Sequence, residues 1–108
     1  MNMQELKSNS KEAAGLLKAL SNRYRLMILC ELSSGERSVS ALETVVPLRQ
    51  SALSQHLAKL REGGFVVTRR EAQTIHYSLA DPRVARLIWV LHGMFCAPAK
   101  SRTKRSKS

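Results

Sequence analysis

Apolar residues recur along the chain with the two periods that separate helices from strands. Ala13, Leu16, Leu17 and Leu20 form one buried face of a helix predicted from about Gln4 to Leu20. Ser21 or Asn22 caps a second helix that carries Tyr24, Leu26, Met27, Ile28, Leu29 and Leu32 and stops at Gly35. That helix is apolar around most of its surface, so it is expected at the centre of the fold. Ser38 or Ser40 caps a short third helix running through Val45, which Pro47 ends. A fourth helix spans about Arg49 to Glu62, with Leu53, Leu57 and Leu60 facing inward and Gly63-Gly64 as its stop. Phe65–Arg70 and Thr74–Leu79 read as strands, with Glu71-Ala72-Gln73 as the hairpin tip. Asp81, followed by Pro82 at the favoured first position, caps a last helix that runs to about Phe95. The order is four helices, a hairpin and a helix.

Length and charge narrow what such a fold does. A chain of 108 residues makes one domain, here expected over 1–96, with 97–108 as a disordered basic extension. The net charge of +10 favours a polyanionic partner, nucleic acid being the commonest. Lys100, Arg102, Lys104, Arg105 and Lys107 supply half of that excess, and a basic tail alone is weak evidence for DNA. The N-terminal run is polar, without the apolar core of a signal peptide. No stretch approaches the roughly 18 apolar residues of a membrane span. A cytoplasmic protein with no membrane partner and two reduced cysteines is expected.

The third and fourth helices, joined through Val46-Pro47-Leu48, have helix-turn-helix spacing. The second helix of such a unit lies in the major groove and reads base edges with its N-terminal residues. Arg49, Gln50, Ser51, Ser54 and Gln55 occupy those positions, with His56 and Lys59 following. Ser51 and Gln55 sit about 160° from Leu53 around the helix, opposite the core stripe. Gln can make two hydrogen bonds to adenine, Ser can serve several bases, and Arg can chelate guanine. A plain solvated helix face would show the same residues. Arg69, Arg70 and Gln73 near the hairpin tip favour the DNA reading, because a basic tip can hold phosphate or enter the minor groove.

The segments RQSALSQHLAKLREGG at 49–64, FVVTRREAQTIHYSL at 65–79 and LLKALSNRYRLMIL at 16–29 resemble the ArsR/SmtB family of winged helix-turn-helix repressors. The resemblance covers about residues 12–96. It implies a mainly α fold with a β-hairpin wing, homodimeric through the first and last helices. It also implies an inverted-repeat operator in double-stranded DNA and an inducer that weakens DNA binding. Arg49 departs from the pattern, because relatives often carry a capping Ser there and Arg offers no side-chain acceptor.

The last helix is apolar nearly all round, so part of it needs cover beyond its own domain. A symmetric partner would supply that cover through Leu16, Leu17, Leu87, Ile88, Leu91, Met94 and Phe95. A larger monomeric core is the other way to bury them. No metal or other cofactor is expected: the last helix offers only Asp81 and a lone His92, and zinc needs three or four converging ligands. A metal-responsive repressor of the same family is therefore a weaker alternative. His56 and His76 read as structural or DNA-proximal residues.

Cys30 and Cys96 are too far apart in sequence for a zinc knuckle or a CxxC motif. By themselves they read as small buried hydrophobes. LMILCELSSGERSVSALE and LHGMFC, however, resemble the BigR/SqrR/HlyU-like dithiol branch of the family. That resemblance implies that reactive sulfur species or oxidants join Cys30 and Cys96 through a disulfide or longer polysulfide bridge, changing DNA affinity. It leaves open an activator that displaces a silencing protein from promoters. A thiol oxidoreductase lacks its βαβ pattern here. A protein that coats DNA without sequence preference would suit the basic tail.

Overall fold

The computed structural model describes residues 2–96; the tail expected at 97–108 lies outside them. Five helices and three short strands follow in the order α1 (Met3–Leu20), α2 (Arg23–Leu32), β1 (Arg37–Ser38), α3 (Val39–Glu43), α4 (Gln50–Glu62), β2 (Val66–Glu71), β3 (Thr74–Leu79) and α5 (Pro82–Phe95).

Side-chain caps set most of the helix starts. The Asn2 side chain accepts from the amides of Gln4 and Glu5, which starts α1 earlier than its apolar stripe does. Asn22 accepts from Tyr24 and Arg25, Ser38 from Ala41, and Asp81 from Arg83. Each such cap satisfies amides that have no partner within the helix. Arg25 also reaches back to donate to the carbonyls of Ala19 and Lys18, closing the C-terminus of α1 and fixing the corner with α2.

The end of α4 is a Schellman motif. The Phe65 amide donates to the Leu60 carbonyl at 3.0 Å, and the Gly64 amide to Arg61 at 3.0 Å. Gly64 adopts φ +78°, a conformation that glycine reaches without steric cost.

The core is apolar. Ile28 and Leu29 of α2, Leu42 and Val46 around α3, Leu53, Leu57 and Leu60 of α4, Val66 of β2 and Val84 of α5 are almost completely buried. Each contributes on the order of 1.5–3 kcal/mol relative to exposure, so this cluster carries most of the fold's stability.

The sheet has three antiparallel strands in the order β1-β3-β2. Thr68 faces Tyr77 and Glu71 faces Thr74, leaving Ala72-Gln73 as the hairpin turn. Ala72 takes φ +57° there. β1 pairs Arg37 with Tyr77 and Ser38 with His76. Two residues carry no readable alternation, so β1 is invisible to sequence periodicity. The third helix ends at Glu43 rather than Val45, because the chain must turn to seat Val46 in the core. Among the described residues, no helix is long and apolar enough to cross a membrane.

Candidate nucleic-acid interface

α4 divides cleanly into two faces. Leu53, Leu57 and Leu60 are buried, whereas Gln50, Ser51, Ser54, Gln55 and Lys59 are exposed. The outward set therefore projects hydrogen-bonding groups from a helix whose inward leucines lock its rotation. Arg49 precedes it, is exposed, and supplies no side-chain cap. Every other helix longer than one turn in the described residues starts with such a cap. The first amides of α4 thus lack a side-chain acceptor, beside a guanidinium, with no acid in the first turn. That end is suited to an anion.

His56 does not belong to the outward face. Its ring lies 6.2 Å from that of Tyr24, and its Nδ1 is buried without a hydrogen-bond partner. Burial, followed by the charges of Arg25 and Lys59, pushes its pKa below the ordinary histidine value. It packs as a neutral ring because i+3 from Leu53 carries it round toward the core side.

The wing separates its two arginines. Arg70 and Gln73 are exposed, and Arg70 has no ion pair among the described residues. Arg69 is engaged within the fold: its Nε and Nη2 donate to both carboxylate oxygens of Glu36, at 3.0 and 2.7 Å. Glu71 lies 3.6 Å from the same guanidinium and 3.4 Å from His76. The hydrogen bond from Arg69 holds the Glu36 carboxyl below its ordinary pKa. Sequence periodicity cannot expose a partner 33 residues away, so Glu36 is legible only in the fold.

The two cysteines are free thiols. Cys30, on α2, is half-buried; Cys96, at the C-terminal cap of α5, is exposed. Burial pushes the Cys30 pKa up, and the charges of Cys96 and Glu31 add to the effect. Cys30 also lines an open cleft of about 690 Å³. Its walls include Met27 of α2, Val45 and Val46 of the turn before α4, and Trp89 and His92 of α5. The thiol thus sits where the central helix, the helix-turn-helix unit and the last helix meet. Among the described residues, no group of three or more His, Cys, Asp and Glu side chains converges as metal ligands would.

The residues expected to cover a partner divide three ways. Leu16 and Ile88 are 9% and 4% exposed and belong to this chain's own core, which corrects their assignment to an interface. Leu87 and Leu91 are half-buried, and Leu17, Met94 and Phe95 are exposed. α5 turns Val84 and Ile88 inward, which leaves Trp89 and Val90 outside at 78% and 53% exposure. On a helix apolar nearly all round, sequence shows that part of the surface needs cover but does not single out these two residues. Arg83 ties α5 to α1 through Glu12, at 3.3 Å.

The family described as bacterial regulatory protein, arsR family, matches residues 22–68. The chain is 51% identical over 96 residues to the transcriptional activator HlyU of Vibrio cholerae, covering 89% of each protein. The solved structure of reduced HlyU from that organism superposes with a TM-score of 0.82 at 50% identity, over 86% of this chain and 98% of that one. The transcriptional repressor BigR of Xylella fastidiosa superposes with a TM-score of 0.85 at 42% identity, over 91% of this chain and all of that one. A homodimeric winged helix-turn-helix DNA-binding domain from Mycobacterium bovis, Mb0332, superposes at 0.71 with 35% identity, over 82% of each chain.

Proposed function

Since the chain belongs to the arsR family of bacterial regulatory proteins, we propose that it binds an inverted-repeat operator as a homodimer and that the thiol state of Cys30 and Cys96 sets its affinity. It is a transcriptional regulator and not an enzyme, as its relatives are. The observation that carries the DNA reading is the two-faced α4: an exposed Ser51, Ser54, Gln55 and Lys59 over an almost completely buried leucine face. Arg49 and Arg70 extend this surface with positive charge toward the phosphates.

Exposed Trp89, Val90, Met94 and Phe95 on α5 and Leu17 on α1 support the dimer, because so many large apolar groups are costly to leave in water. A two-fold axis beside α5 would carry two copies of α4 to successive major grooves, about 34 Å apart. The Mycobacterium bovis neighbour, described as a homodimer, is in keeping with this arrangement.

The position of Cys30 between the central and last helices supports the switch. α2 packs on α4, and α5 carries the exposed apolar face. A bridge between Cys30 and Cys96 would tie the end of α5 to the helix that supports the reading head. Forming a disulfide releases two protons and two electrons, which a peroxide or a persulfide takes up. A change in the separation of the two reading helices worth about 1–3 kcal/mol alters affinity roughly 5–150-fold.

Relatives are named both activator and repressor, so occupancy of the operator either blocks transcription or displaces a silencing protein. Treatment with glutathione persulfide or hydrogen peroxide, followed by intact mass measurement and DNA titration, tests the switch. A Cys30–Cys96 bridge with weakened DNA binding is expected, and Cys30→Ser and Cys96→Ser should bind DNA normally but ignore the reagent. Release of the doubly substituted protein by the same treatment would falsify the dithiol mechanism.

A further inference from the structure

Arg69 and Arg70 are adjacent in sequence but occupy different settings. Arg70 projects from the wing without an ion pair among the described residues. Arg69 grips Glu36 with two nearly parallel hydrogen bonds, the fork geometry that fixes orientation as well as charge. Glu36 is itself held in place. The neighbouring Arg37 donates to the Glu36 carbonyl at 2.9 Å and pairs with Glu31 of α2 at 3.0 Å. A line of alternating charges therefore runs from α2, through the entry to β1, to the wing. β1 and β2 are not adjacent in the sheet, since β3 lies between them. The Glu36–Arg69 pair is thus a strap across the sheet, joining its two outer edges.

We propose that Arg69 is a positioning residue, with Glu36 as its anchor, that sets the angle of the wing so that Arg70 and the hairpin turn meet DNA. This rests on the DNA reading of α4 and the wing. With its Nε–Nη2 edge taken by Glu36 and a second carboxylate, Glu71, 3.6 Å away, the Arg69 guanidinium is neutralised and offers a phosphate less net attraction than the unpaired Arg70. Two acids beside a phosphate contact would also repel the backbone they are meant to approach. The strap resolves this difficulty, because it spends both charges on geometry and leaves the exposed cation one residue further on.

The test is DNA affinity of the full-length chain for a duplex enriched by that chain from a random-sequence pool, measured well below each variant's melting temperature. Glu36→Gln and Arg69→Ala should each weaken binding by roughly two- to fivefold, the range an exposed ion pair is worth. The exchanged pair, Glu36→Arg with Arg69→Glu, should return to within about twofold of the parent, because the strap is restored with its polarity reversed. Three results overturn the proposal. Glu36→Gln binds more tightly, showing that the acid restrains a phosphate contact; the exchanged pair stays as weak as Arg69→Glu alone; or both single variants bind like the parent. Failure of the DNA reading is separate: the parent chain would then enrich no duplex, and Arg70→Ala would leave the salt dependence unchanged.

Discussion

At the scale of single residues, adjacent positions differ in what they can do because of what surrounds them. Arg70→Ala should lower the slope of log affinity against log salt by about one unit, measured by titration at several salt concentrations, since one phosphate contact releases one counterion. Burial, with the charges of Cys96 and Glu31 adding to it, raises the Cys30 pKa, so little of this thiol is ionised at neutral pH. The thiolate is the nucleophile, so its alkylation should accelerate as pH rises through and beyond the ordinary thiol range. Removing a nearby negative charge lowers that pKa, and Glu31→Gln should therefore speed alkylation of Cys30 at fixed pH. Mass-resolved labelling of a Cys96→Ser background reads both effects. The unequal settings of Arg69 and Arg70 were not legible in sequence, because they depend on Glu36, a partner that only tertiary structure brings near. The structural reading of His56 was legible from its place beside the leucine stripe, and only the Tyr24 ring it packs near was not.

At the scale of elements, the helices were largely legible because caps, stripes and stops agree with one another. Leu53, Leu57 and Leu60 set the rotation of α4, and the glycines end it. Gly64→Ala must hold an alanine at φ +78°, at a cost of about 1–2 kcal/mol. Thermal melting should show a fall of several degrees, since 1 kcal/mol is worth roughly 4–8 °C in a domain of this size. β1 was not legible, because two residues carry no period, and α5 was legible only as a helix. Its sequence is apolar nearly all round apart from Arg83, Arg86 and His92, and the choice of Val84 and Ile88 as the inward pair comes from packing against α2 and β3. Trp89, 78% exposed, is consequently the residue at which the proposed dimer face is tested. Trp89→Asp should shift the protein from dimer to monomer in sedimentation equilibrium and weaken operator binding with it, while leaving the fold's circular dichroism intact.

At the scale of the whole molecule, one core supports three surfaces. The face of α4 opposite its buried leucines presents polar side chains, α5 presents an apolar face, and Cys30 lies in the cleft between the central helix and α5. The thiol proposal and the dimer proposal both act on DNA through α4, so the claim beneath them is that its outward side chains discriminate between base pairs. Competition binding of the parent and Gln55→Ala to an enriched duplex and to a random one measures this directly. The parent should prefer the enriched duplex by about 10³-fold or more. Gln55→Ala should lose about 1–3 kcal/mol on that duplex and almost nothing on the random one. Equal losses on both duplexes, or a parent preference near one, would contradict base reading by α4.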